Sequence, residues 1–308
     1  MTSNFQVGLN LPFESQDYRE SALLIEELGF DYLGSGEHLL FHGPVPNAFS
    51  LLSFAAGVTS KIKLVSTITL VPLYPPVLLT KLASMLDIVS NGRFELGIGV
   101  GGEYQAEFNS VNVPVTERGE RTNECLSILN KLWTGEVTSH TGKHWNFENV
   151  ALQPKPFTQP SLRIWVAGRG VAAMKRAAIH GDVWMPYMYT PDQFHESLNK
   201  IEELSQESGR DKSRIFGSVN CFINVSNDRT EAIRVAAQQV GELYNQDFSG
   251  TRARYLVAGN VEDCVSKIRE YAQAGARSAI LTLACPRNEW EAMAKLVGAE
   301  VLPQLQRL

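Results

Sequence analysis

The sequence is poor in the residues that staple a chain or carry it through a membrane. Only four cysteines occur in 308 residues: Cys125, Cys221, Cys264 and Cys285. They are far apart and form no C-x-x-C. That spacing excludes a disulfide framework or a thiolate metal knuckle and predicts reduced thiols, as in a cytoplasmic protein. No stretch approaches 18 consecutive apolar residues, so no membrane span is predicted. The first residues, "MTSNFQVGLNLPF", lack a charged region followed by an apolar one, so no signal peptide is expected. Basic residues never run to five in a row, and the formal net charge is −5. Both facts argue against nucleic acid as a partner. There is no H-E-x-x-H, no Cys/His cluster and no G-x-S-x-G. Zinc hydrolase and serine hydrolase readings fail, and no metal is expected.

What is present is a core-forming composition, 44% hydrophobic and 20% charged. Length alone allows two domains or one large α/β barrel. A chain of this size buries about three quarters of its unfolded surface, so its core needs no disulfide or metal. Short apolar runs alternate with longer amphipathic ones. "FQVGLN", "FDYLGS", "KIKLVSTITLV" and "RFELGIGV" read as the first four strands. "LRIWVAG", "DVWMPYM", "RIFGSVNCFINVS" and "RSAILTLAC" read as the next four. Helical patterns separate them, for example "DYRESALLIEELG", stopped by Gly29, and "PPVLLTKLASMLDIVSNG", opened by prolines. Residues 135–160 interrupt the rhythm as a structured excursion, in the manner of a hairpin. Eight strands interleaved with helices predict an α/β fold, a (β/α)8 TIM barrel with an insertion around residues 135–160. An open doubly wound sheet is the alternative, but the first strand–helix junction lacks G-x-G-x-x-G.

A barrel concentrates chemistry at the C-terminal ends of its strands. The candidates are Asn10 and Phe13 after strand one, Glu37 and His38 after strand two, and Thr67 to Thr69 at the end of strand three. Gly99 to Glu107, Gly168 to Gly170 and Tyr187 follow strands four, five and six. "VAGRGVAAMKRAA" runs a strand through Gly168-Arg169-Gly170 into a helix. Its amides and arginine could hold a phosphate, or the glycines could serve a tight turn alone. "GIGVGGE" could leave room for a flat ring at Gly97 and Gly99, or mark a bulge in a crowded layer. Glu103 and Glu107 are explained by a helix N-terminus without any function. His38 could exchange a proton near neutrality, or be merely structural. His42, His140, His144, His180 and His195 show no ligand spacing and read as structural or solvated. The hydroxyl-rich "LVSTITLV" could bond a ligand edge or reflect strand propensity.

Taken together, "SNGRFELGIGVGG", "RGERTNECLSILNKLWTGE", "GKHWNFENVALQPKPFTQPSLRIWVAG" and "AAIHGDVWMP" resemble the bacterial luciferase-like superfamily over nearly the whole chain. The pattern looks like the branch of coenzyme F-420-dependent oxidoreductases. The resemblance implies one barrel domain over residues 1–308, an excursion near strand five and a flavin or deazaflavin at the barrel mouth. It implies a phosphate at Gly168, Arg169 and Gly170, and a ring backed by a non-prolyl cis bond between Thr67 and Ile68. Ser66, Gly99 and Gly101 would complete the cofactor site. His38, beside Glu37, matches the family's active-site histidine. The chain carries Gly101-Gly102 where many deazaflavin members have an aromatic residue, and Val65 where glycine usually precedes the bulge. The implied activity is hydride transfer between F-420 and a small organic substrate. One alternative is an FMN-dependent monooxygenase supplied by a partner flavin reductase, or an F-420 reductase in the first case. The other is a non-catalytic flavin-binding barrel. The resemblance also implies a homodimer.

Overall fold

The computed structural model describes residues 5–211 and 215–308. Residues 1–4 and the predicted start of the seventh strand at Arg214 lie outside the described residues. The barrel strands are β1 (Gln6–Asn10), β2 (Tyr32–Ser35), β3 (Lys63–Ser66) with its continuation β4 (Thr69–Leu70), and β5 (Phe94–Gly99). A hairpin of β6 (Thr138–Thr141) and β7 (Asn146–Val150) intervenes. The wall resumes with β8 (Ile164–Ala167), β9 (Val183–Met185) and β10 (Phe216–Val225). The short β11 (Val257–Gly259) pairs along the end of β10, and β12 (Ala276–Leu283) completes the set. The sheet runs β10-β12-β1-β2-β3-β5-β8-β9, all parallel, and β9 pairs back onto β10 through Phe216↔Val183. That closing pair makes a barrel of eight staves and excludes the open doubly wound sheet.

Helices alternate with the staves. They are α1 (Tyr18–Glu27), α2 (Ala48–Val58), α3 (Pro76–Val89), α4 (Gln105–Ser110) and α5 (Arg118–Leu132). After β8 come α6 (Val171–His180), α7 (Pro191–Glu207), α8 (Arg229–Tyr244) and α9 (Val261–Gln273). Then α10 (Trp290–Leu296) leads through a wide turn to α11 (Leu302–Leu305). Their starts follow local chemistry. Asp17 and Asp228 accept first-turn amides, and Thr190–Gln193 and Asn260–Asp263 form capping boxes. The α6 start is different, because Gly170 offers it no side chain.

The hairpin fills the predicted excursion. Glu124 on α5 fastens it by accepting from His140 Nε2 at 3.1 Å and from the amides of His144 and Trp145. Inside the barrel, Tyr32, Val65, Trp165, Val183, Met185 and Ile280 pack into a plug. Tyr32 and Trp165 meet edge-to-face at 5.2 Å, and the Trp165 indole donates to buried Glu95 at 2.6 Å. The barrel floor is therefore filled, and open space lies above it, toward the C-terminal strand ends.

One predicted element is wrong in detail. "KIKLVSTITLV" is not a continuous strand. It breaks between β3 and β4, where the Thr67–Ile68 peptide bond is cis. β-Branched propensity signals extended backbone, but only contact with β5 decides where the ladder is interrupted. The four cysteines are unpaired and buried. No helix among the described residues is long and apolar enough to cross a membrane.

Candidate active site

A cleft opens over the plug, with about 980 Å³ of space including its solvent mouth. It is lined by strand ends from right around the barrel: Asn10, Phe13, Glu37, His38, Thr67, Ile68, Gly99 to Gly101, Gly168, Tyr187, Asn220 and Thr282 among them. The floor is a polar chain. Thr67 Oγ1 donates to Asn10 Oδ1 at 2.7 Å, and Asn10 Nδ2 donates to Thr282 Oγ1 at 2.7 Å.

The glycines of β5 make room for the interrupted strand. A Cβ at Gly97 would lie 1.8 Å from the Ser66 carbonyl oxygen, and one at Gly99 would lie 2.0 Å from Ile68 Cδ1. The room that Gly97 and Gly99 could have left for a flat ring is filled by the bulge between β3 and β4, which presents Ile68 to the cleft. Ser66 is not on the wall. Its hydroxyl donates to the Gly97 carbonyl at 2.8 Å and accepts from the Gly97 amide at 2.9 Å, riveting β3 to β5 below the cleft.

His38 lines the cleft half-buried. Its Nδ1 is 3.1 Å from both carboxylate oxygens of Glu107, which is fully buried on α4 and also accepts from the Leu39 amide. A carboxylate only accepts, so Nδ1 carries the proton toward Glu107 and Nε2 is left to exchange a proton with a group in the cleft. Phe41 stacks on the imidazole at 3.8 Å and limits its rotation. A helix N-terminus therefore does not account for Glu107. Sequence reasoning missed it as the partner of His38 because 69 residues separate the two.

Glu37, expected beside His38 as a catalytic group, is buried and occupied. Its Oε2 accepts from Asn47 Nδ2, the Ala48 amide and the Tyr74 hydroxyl, and its Oε1 accepts from the Leu70 amide. Burial pushes its carboxyl above the usual range, against the pull of those donors. Because Leu70 lies two residues past Ile68, Glu37 ties that segment to the start of α2.

At the other end of the cleft, Gly168 has φ +112, and a Cβ there would press on the Ala173 side chain at 2.8 Å. The carbonyls of Gly168 and Arg169 accept from Trp184 Nε1 and Tyr189 Oη, which orients the turn. Gly170 caps α6 without a side chain, so no cap covers the amides of Val171 and Ala172, both exposed residues at the helix start. Arg169 is exposed; its guanidinium lies 5.1 Å from the Tyr187 ring centroid and donates to the Met188 carbonyl. Positive helix end, glycine turn and arginine together suit an anionic tail. Among the described residues no group of His, Cys, Asp and Glu is placed to hold a metal ion.

The luciferase-like monooxygenase profile matches residues 4–278 of this chain. The chain belongs to the luciferase-like monooxygenase family. One curated relative in this family is the oxygenase component of a flavin-dependent trigonelline monooxygenase from Acinetobacter baylyi. It is 28% identical over 221 residues, covering 70% of this chain and 61% of that protein. The chain spans about half to three fifths of the length of the curated relatives it matches. Two solved structures share the fold. Coenzyme F-420-dependent tetrahydromethanopterin reductase from Methanopyrus kandleri has a TM-score of 0.81 and 20% identity, covering 99% of this chain and all of that one. The oxygenating constituent of 3,6-diketocamphane monooxygenase from Pseudomonas putida, in complex with FMN, has a TM-score of 0.76 and 20% identity. It covers 97% of this chain and 98% of that one. The strand-seven and strand-eight contributions, Asn220, Phe222 and Thr282, escaped the sequence reading. The period-two alternation of "SVNCFIN", which puts Asn220 and Phe222 on one face, is the signal that could have found them.

Proposed function

We propose that this luciferase-like protein is an oxidoreductase that works with coenzyme F-420 on a small organic substrate. The observation that carries the reading is one cleft with two complementary ends. A proton-exchanging His38–Glu107 pair stands at one end, and an uncapped helix start with Gly168, Arg169 and Gly170 stands at the other. The residues fit a flat heterocycle with an anionic tail. Ile68 would back the ring, Gly99 and Gly101 would flank it, and the first amides of α6 with Arg169 would hold the tail. When bound, such a group supplies hydride chemistry at a ring carbon. The chain's own residues do the rest. His38 Nε2 donates or accepts the proton that accompanies hydride movement, Glu107 fixes the imidazole, and Glu37 holds the Ile68 segment in place. The intact pair argues against a merely binding barrel.

Specific findings favour a second reading with FMN: the curated relative named above is the oxygenase component of a flavin-dependent monooxygenase, and the diketocamphane monooxygenase constituent that shares the fold was solved with FMN. In that case a reductase partner delivers reduced flavin. Leu78, Met85 and Val89 lie exposed along one stripe of α3, an apolar surface that supports a homodimer. The deciding experiment titrates the chain with F-420 and with FMN, oxidised and reduced, following tryptophan fluorescence. Trp184, bonded to Gly168, reports on the tail site. F-420 binding without FMN binding sustains the first reading, and the reverse selects the second. Binding of neither refutes both.

A further inference from the structure

The two long walls of the cleft differ in chemistry. In a barrel of eight staves each strand faces the one four places round, so β10 stands opposite β3 and β9 opposite β2. The β3–β5–β8 side is where the proposed function places the cofactor. Around Tyr244, at the end of α8, the cleft is aromatic, with rings from β10 and from the loops after β2 and β9. Phe41 and Tyr244 meet at 5.7 Å and 88°, Phe222 and Tyr244 at 6.1 Å and 89°, and Tyr187 and Tyr244 lie nearly parallel at 6.2 Å and 19°. Such rings offer faces and edges to a flat guest.

Positive charge reaches this cluster only from outside the lining, where Arg169 lies over the Tyr187 ring. Among the described residues no lysine or arginine lines the cleft, and Arg169 is engaged beyond it with Met188 and the Tyr187 ring. The acids that line the cleft are Glu37 and Glu103, the latter accepting from the Tyr187 hydroxyl at 3.0 Å. A carboxylate or phosphate on the substrate would lose water there and gain no counter-charge. One polar atom of the wall is unsatisfied. Asn220 Oδ1 is buried and has no hydrogen-bond partner, although the Asn220 amide N–H is fixed to the Pro186 carbonyl at 3.0 Å. A buried acceptor without a donor costs free energy that a ligand donor would offset.

We propose that the substrate is an uncharged, flat ring compound carrying an N–H or O–H group. It stacks among Phe41, Tyr187, Phe222 and Tyr244 and donates to Asn220. The proposal rests on the oxidoreductase reading for its place opposite the cofactor.

The test is calorimetric titration of the full chain with indole, N-methylindole and indole-2-carboxylate, with and without saturating F-420 or FMN. Indole is expected to bind, N-methylindole about tenfold more weakly because it lacks the donor, and the carboxylate at least about tenfold more weakly. In Asn220→Ala the gap between indole and N-methylindole should close to within about twofold, with cofactor binding unchanged. Tyr244→Leu should weaken both indoles together. Carboxylate binding equal to that of indole, an N–H preference that survives in Asn220→Ala, or no indole binding at all overturns the proposal. Failure of both cofactors to bind refutes the oxidoreductase reading instead, and the cofactor-free titrations still judge the ring site.

Discussion

The close approach of β5 to the Ile68 segment sets up a graded test with two glycines. At Gly97 a methyl group would meet the Ser66 carbonyl oxygen at 1.8 Å and its carbon at 3.0 Å. Both are backbone atoms held by the Ser66 hydroxyl, so neither can swing away. Gly97→Ala should cost more than about 3 kcal/mol, at the severe end for a single substitution. At Gly99 the nearest atom is the tip of a side chain, Ile68 Cδ1, at 2.0 Å. Overpacking against a movable group costs about 1–3 kcal/mol. Ile68→Ala removes that tip and leaves its Cβ 3.8 Å from the new methyl, an ordinary contact. Truncating this half-exposed side chain should itself cost about 1–2 kcal/mol. The double variant should then be no worse than Ile68→Ala alone, a coupling of at least about 1 kcal/mol. Urea unfolding followed by tryptophan fluorescence, with equal slopes checked, measures all four proteins. Additive costs for Gly99→Ala and Ile68→Ala, or equal costs at Gly97 and Gly99, would refute the argument that these glycines make room for the interrupted strand.

His38→Ala should retain cofactor binding and lower turnover by about 10²–10⁴-fold, read by steady-state kinetics beside the fluorescence titration; unchanged turnover removes its proton-transfer role. Glu107→Gln should lower kcat by at least about tenfold with little change in KM and should move the pH–rate profile, whereas a purely structural role would leave that profile in place. Arg169→Ala should weaken binding of the cofactor tail by about 1–3 kcal/mol, and an unchanged dissociation constant leaves the glycine turn as a turn only. Burial pushes the thiols of Cys221, Cys264 and Cys285 from the usual 9.0 up to about 12. Between those pH values the unfolded chain has released thiol protons that the folded chain retains. Stability is therefore full below about pH 9 and falls as pH rises toward 12, which the urea midpoint measured against pH checks.

The eight-strand rhythm was legible because each stave is a short apolar run bounded by glycine, proline or a capping residue, and those are local properties. The barrel followed from that alternation, and the cleft from the rule that strand ends carry function; Asn10, His38, Thr67, Ile68, Gly99, Gly101, Gly168 and Tyr187 all reach it. Local chemistry also made the Gly168–Gly170 turn visible, since a strand meeting a helix through glycine leaves amides exposed wherever it folds. What only the tertiary structure decided were pairings between distant elements. Glu107 and Glu37 are both glutamates near strand ends, yet one meets His38 across 69 residues and the other is consumed by α2 and the amide of Leu70. The glycines of β5 look like space in sequence, and a neighbouring strand fills that space. Closure of the barrel brings such groups within contact distance, and nothing in a linear pattern encodes which of two like side chains will face which partner once the ends have met.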